Sequence, residues 1–225
     1  MRVPLGVLAL GLAVVGVASD HNNIDKERPL RFDDAYSIAL GGLEFQNGLR
    51  YDPARRSWFG RSELQIGFAR NRDLSIGWEP FSAPGQGLRS GALELSYFET
   101  LRRETEGFPA IGYRAEVSST GGQPEARLRG IATRLLSGAA KVHLNLDLGL
   151  NSRRRGTFGG IVGFSLPQGY HTTYLGEIGW ASGEKGGFVG VGMRRQMSTR
   201  GVLDLGVEAS TVGRFRFTVG FSLGL

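Results

Sequence analysis

The sequence has no cysteine and only three histidines. The first absence removes disulfides and thiolate metal sites, and the second argues against a multi-histidine metal centre. Long apolar runs are also scarce. The continuous hydrocarbon stretch at residues 5–17 is too short for a comfortable helical span, so a bundle of transmembrane helices is excluded. A membrane β-barrel is not, because every second residue of its strands is polar and averaged hydropathy hides them. No phosphate-binding loop is recognisable: Gly186, Gly187, Gly190 and Gly192 sit in a strand-like stretch with no helix to follow, and read as close strand packing. The net charge of +6 comes from arginines scattered along the chain, which argues against nucleic acid as a partner. No cofactor is expected.

Glycine is abundant, at 36 of 225 residues. With it comes a period of two. The terminal stretch RFRFTVGFSLGL puts Phe215, Phe217, Val219, Phe221, Leu223 and Leu225 on one face of a strand. Arg216, Thr218, Gly220, Ser222 and Gly224 take the other. KVHLNLDLGLN repeats the design: five aliphatic residues from Val142 to Leu150 oppose Lys141, His143, Asn145, Asp147 and Gly149. Segments of this kind are expected near residues 35–46, 58–69, 74–79, 92–97, 111–117, 127–136, 141–151, 158–166, 172–181, 187–194, 202–209 and 214–225. The first and sixth have no clean phase, and residues 99–108 suit a short helix. Turn-rich stretches such as NGLRYDPARRS and SSTGGQPEA are expected as longer outer loops, with RNRD, SGAA and PQGYH as short periplasmic turns.

The start of the chain supplies an address. Arg2, the apolar run, and then Ala18, Ser19 and Asp20 form a secretory signal, with cleavage expected after residue 19. Residues 20–34 read as a polar periplasmic lead-in without a core, and residues 35–225 as the barrel. The fold expected is all-β: a transmembrane antiparallel up-and-down barrel of about twelve strands in a Gram-negative outer membrane. A secreted β-sandwich or lipocalin-like barrel would alternate too. Trp58, Trp78, Tyr97, Tyr113, Tyr174 and Trp180 near strand ends favour the membrane, whose interfaces collect amphipathic rings.

The C-terminal third, with TFGGIVGFSLP, TYLGEIGWASG, GFVGVGMRRQMSTRGVLDLGVEAS and FRFTVGFSLGL, resembles outer-membrane β-barrel transporters linked to meta-pathway phenol degradation. The likeness covers residues 157–225 well and the first half only in style. It implies a porin-like channel with no catalytic residues, and assembly through the C-terminal strand by the barrel-assembly machinery. Barrels of that type usually end on Phe; this chain has Leu225.

Strand parity nominates Glu63, Glu94, Arg114, Glu116, His143, Asp147, Glu177, Arg194, Asp204, Glu208 and Arg216 as lumen-lining residues. Acidic groups outnumber basic ones among them, which predicts a modest cation preference. The function expected is passive passage of small polar or amphipathic solutes, not catalysis. One alternative is a lipid-modifying enzyme built on His143, although no serine is clearly paired with it. Another is a structural or adhesive barrel with a plugged lumen. Arg55, Arg56, Arg153, Arg154 and Arg155 in outer loops are candidate contacts for lipopolysaccharide phosphates, since guanidinium matches phosphate bidentately.

Overall fold

The computed structural model describes residues 24–26, 28–85, 87–151, 155–182 and 186–225. The expected signal peptide, Arg153 and Arg154 lie outside the described residues. Twelve strands form the barrel: β1 (Leu43–Asp52), β2 (Ser57–Ala69), β3 (Arg72–Ser82), β4 (Leu88–Arg102), β5 (Ala110–Thr120), β6 (Gln123–Leu135), β7 (Lys141–Leu150), β8 (Gly156–Gln168), β9 (Thr172–Ala181), β10 (Gly187–Gln196), β11 (Gly201–Ser210) and β12 (Phe215–Gly224). Each pairs antiparallel with its sequence neighbours. β1 closes on β12, with Glu44 opposite Gly224 and Tyr51 opposite Phe217.

The alternation in sequence becomes an inside and an outside. On β7, Leu144, Leu146, Leu148 and Leu150 are exposed on the outer wall, while His143 and Asn145 are fully buried. On β12, Phe215, Phe217, Val219, Phe221 and Leu223 face out, and Thr218 and Ser222 face in. A soluble barrel puts its hydrocarbon inside, whereas this one wraps a charged interior in hydrocarbon, the polarity that suits lipid. Every strand has at least ten residues, enough for a tilted span of the hydrocarbon layer. Exposed Trp58, Trp78 and Trp180 ring the end of the barrel where β1 and β2 join, here called the distal end. Tyr97, Tyr113 and Tyr174 ring the terminal end, where β1 begins and β12 finishes. There the outward carboxylate of Glu99 accepts hydrogen bonds from Tyr97 Oη at 2.7 Å, Tyr113 Oη at 3.1 Å and Arg72 Nη2 at 2.8 Å. A charge near lipid is thereby matched on the surface.

Three sequence expectations need correction. The distal connections are short: SSTGGQPEA is mostly strand, and its turn is Gly121–Gly122, with φ of 58° and 81°. Two positive φ values in a row make the tight turn that suits strand twist and favours glycine. Residues 99–108 form no helix; β4 runs to Arg102 and the connection folds on a Thr105–Phe108 bridge. The first strand starts at Leu43, not near residue 35, because Gly41 takes a φ of 76° and the chain turns there.

The largest departure is at residues 24–38. Of the stretch read as a lead-in without a core, residues 24–26 and 28–34 lie inside the barrel. Ile24, Leu30 and Phe32 form a buried cluster with Ile161, Leu175 and Phe188 of the wall. Ala35 does the same with Phe98, Ala110 and Ile131, with Tyr36 packed against them. These inward apolar wall residues explain why β6 showed no clean phase: Ile131 faces the lumen because a hydrophobic segment fills it.

Candidate functional site

The site is the lumen together with this internal segment. Residues 24–26 and 28–34 close on themselves. Asp34 N donates to Ile24 O at 3.0 Å, Ile24 N to Asp34 Oδ2 at 3.1 Å, and Lys26 N to Asp33 Oδ1 at 2.5 Å. The result is a compact loop with side chains radiating to the wall. Its backbone donors meet wall side chains rather than a ladder: Arg31 N to Glu177 at 2.8 Å, Asp33 N to Asn145 at 2.7 Å and Ala35 N to Thr133 at 2.9 Å.

The wall is shaped to receive it. A Cβ at Gly163 would lie 2.5 Å from the Phe32 ring, one at Gly190 would lie 2.9 Å from Leu30, and one at Gly206 would lie 2.9 Å from Pro29. Glycine at these inward positions opens the space that the segment occupies. Gly190 and Gly192 were read as strand packing; both face Leu30, and Gly192 also faces its neighbour Pro29.

Every lumen candidate named from parity is buried or half-buried in the barrel, and most have an ionic partner. Glu63 accepts from Arg61 at 2.6 Å. Glu94 is shared by Lys26 at 2.9 Å and Arg61 at 2.8 Å, and Glu116 pairs with Lys26 and Arg127. Arg114 reaches Asp25 at 3.4 Å and Asp33 at 3.3 Å. Asp147 pairs with Arg129 at 2.6 Å, and Asp204 with Arg194 at 2.8 Å and Arg28 at 3.3 Å. Glu208 joins Arg31 at 2.5 Å to Arg216 at 3.1 Å. Glu177 takes the backbone donor of Arg31. An isolated charge in such an interior is expensive, and these pairings offset that cost. Sequence reasoning missed Lys26, Arg28, Arg31, Asp25 and Asp33, the internal segment's half of this network. Charges alternating with Ile24, Leu30 and Phe32 were the available signal. They follow neither helix nor strand period.

His143 is fully buried. Its ring nitrogens lie 3.0 Å from Thr133 Oγ1 and 3.0 Å from Ser165 Oγ, and its ring centroid is 5.0 Å from that of Phe32. The serine that sequence reading did not find is therefore present. The pair faces the packed lumen under Phe32, away from the lipid surface, and it bridges β6, β7 and β8. Asn145 is committed to the backbone of Asp33, whose N–H it accepts and whose C=O it donates to. Among the described residues no group of His, Asp and Glu is placed to hold a metal ion.

Above the segment, toward the distal end, lies a cup of about 480 Å³. Lys26 and Arg31 contribute to its floor, and Arg50, Arg61, Arg127, Arg129 and Arg216 alternate with Glu79, Glu94, Glu116, Glu125 and Asp147 around it. Cations and carboxylates interleave, so the cup offers donors and acceptors to a polar solute without one dominant sign. Of the outer-loop arginines, Arg55 and Arg56 are exposed at the distal end beside β1, as is Arg155 beside β8. Arg55 Nε lies 3.8 Å from Asp52.

No family model matches the chain, and no curated protein does. Solved structures do. The KdgM porin superposes with a TM-score of 0.63 at 14% identity, over 80% of this chain and 98% of that one. The NanC porin gives 0.62 at 5% identity, over 81% and 100%. The Acinetobacter baumannii outer membrane protein Omp33 gives 0.56 at 7% identity, over 82% and 98%. At these identities the likeness is one of fold, and the fold it shows is the closed twelve-strand antiparallel barrel.

Proposed function

We propose that this chain is an outer-membrane β-barrel channel passing small polar or amphipathic solutes down their gradient. The observation that carries the reading is the barrel's polarity: an apolar outer wall closed around a charged interior. That interior ends in a cup facing the distal side. Passive diffusion is the simpler mechanism, since the sequence holds no nucleotide motif. The KdgM porin has also been solved in complex with disordered oligogalacturonate. For the present chain the mixed charge of the cup suits hydroxylated or zwitterionic solutes. The phenol-pathway resemblance of residues 157–225 adds small aromatic solutes to those worth testing. Of the carboxylates that suggested cation preference, Asp204 and Glu208 are paired with Arg28, Arg31, Arg194 and Arg216, and Glu94, Glu116 and Asp147 in the cup with Lys26, Arg61, Arg127 and Arg129, so selectivity should be weak.

Exposed Arg55, Arg56 and Arg155 would face the anionic outer leaflet and bind lipopolysaccharide phosphates. Assembly would proceed through β12. The filled lumen favours a second reading, a structural or adhesive barrel that does not conduct. Planar-bilayer recording of the refolded chain, with heat-modifiable gel migration as the check on folding, tests the channel. Steps of conductance with a reversal potential near zero are expected. A heat-modifiable protein that never conducts under any condition would leave the structural reading.

A further inference from the structure

We infer that residues 24–26 and 28–38 belong to a displaceable gate: a folded unit that closes the lumen and swings out at the terminal end about Gly41 and Gly42. This deepens the channel reading and rests on it. Three observations carry it.

First, the unit holds itself together. The 24–34 loop is closed by its own backbone and Asp33 and Asp34 side-chain hydrogen bonds, so it can leave the wall without unravelling. It is outside the sheet, and its removal breaks no strand pairing.

Second, its grip on the wall is distributed: beside two small apolar clusters, ion pairs hold it to strands all round the bore. Lys26, Arg28 and Arg31 hold Glu94, Glu116, Asp204 and Glu208; Asp25 and Asp33 hold Arg114 and Arg129. Its partners sit on strands from β1 through β11, so the unit lies across the bore rather than along one side. Water that enters as the unit leaves can solvate each of these charged groups, as it cannot a hydrocarbon core.

Third, the tether is built to turn. Residues 39–42 form a tight turn pinned to the end of β2 by Gly41 N to Gly67 O at 2.7 Å and Gly67 N to Gly42 O at 2.9 Å. The Ala39 carbonyl occupies the place where a Cβ at residue 67 would stand. The pivot is thus fixed to the barrel rim while the unit beyond it is not.

The test locks and loosens the gate in the full chain. The sequence has no cysteine, so Ala35→Cys with Thr133→Cys gives one defined pair, at a point where Thr133 Oγ1 lies 2.9 Å from Ala35 N. A second variant, Lys26→Ala with Arg31→Ala, removes two of the unit's three cations. Each is checked for heat-modifiable migration and recorded in planar bilayers. The oxidised lock should abolish openings, and dithiothreitol should restore them. The loosened variant should increase time open at least tenfold over the parent. If the oxidised lock conducts like the reduced protein, solutes pass beside the segment and the gate is refuted while the channel stands. If neither the loosened variant nor the reduced lock ever conducts although both are folded, the channel reading falls and the gate with it.

Discussion

Replacing Asp204 by Asn asks whether the lumen is packed or wet. Asp204 sits between two arginines: Oδ1 accepts from Arg194 Nε at 2.8 Å, and Oδ2 from Arg28 Nη1 at 3.3 Å. All three side chains are at most 1% exposed. Asparagine keeps the shape and one acceptor but removes the charge. Beyond that acceptor, among the described residues Arg194 retains Ser222 Oγ at 3.4 Å, and Arg28 retains Asp25 at 3.4 Å and Glu44 at 3.7 Å. Two unit charges at 4 Å interact by about 4 kcal/mol at an effective dielectric of ~20, and by about 1 kcal/mol in water. Breaking one partner out of a buried pair costs about 3–5 kcal/mol, against roughly 0–1 kcal/mol for an exposed pair. A loss of about 3 kcal/mol is expected, a shift of more than a hundredfold in the folding equilibrium. The assay is reversible urea unfolding in lipid vesicles, followed by the fluorescence of Trp58, Trp78 and Trp180 on the outer wall. Arg194→Met and the double variant complete a cycle that isolates the pair. The loss should change little with salt. A loss below about 1 kcal/mol, or one that salt erases, would refute the packed lumen and place Asp204 in a water-filled pore.

Other substitutions address the two faces and the histidine. Leu146→Arg puts a charge on the lipid side of β7 and should destabilise the barrel by about 2–4 kcal/mol in the same vesicle titration; no effect would deny that this face meets hydrocarbon. His143→Ala leaves Thr133 and Ser165 without their shared partner and should cost about 1–3 kcal/mol. It should leave any lipid-hydrolysis rate measured on the purified protein untouched, and a fall in such a rate would revive the enzymatic alternative. Gly163→Val places carbon where the Phe32 ring now lies, so time open in bilayer recordings should rise with heat-modifiable migration preserved. Unchanged recordings would mean that Phe32 finds another seat.

Much of the barrel was legible because a strand's side-chain period is two and only one face meets lipid. Where the inner face is purely polar, as on β7 and β12, the alternation was complete and the strand bounds fell within a residue or two. Legibility failed where the inner face turns apolar. Ile131, Phe98, Leu175 and Phe188 break the alternation because they pack on a segment that sequence gave no reason to place indoors. The segment itself shows neither period: its apolar residues are spaced to reach around a bore, a geometry set by partners far away in the chain. Inward glycines carried the remaining signal, and a smooth recess reads in sequence like ordinary strand packing. Parity named many of the wall charges but not Arg61, Arg127 or Arg129, and it could not say that other partners come from residues 25–33.

The order in which those partners occur along the chain bears on how the molecule folds. Lys26 meets Glu94 and Glu116 at separations of 68 and 90 residues; Asp33 meets Asn145 at 112; Arg28 and Arg31 meet Asp204 and Glu208 at 176 and 177. Each successive strand thus adds a claim on a segment made before any of them. Until β11 is in place, Arg28 lacks Asp204 and Arg31 lacks Glu208, and until β12 arrives β1 has an unpaired edge. Capture of the segment and closure of the seam are therefore late and coupled events. Contacts this distant are slow to form, since the ends of a long loop must meet before any bond rewards them. A chain halted after β10 would lack those two partners and carry two open edges, a form prone to associate rather than insert.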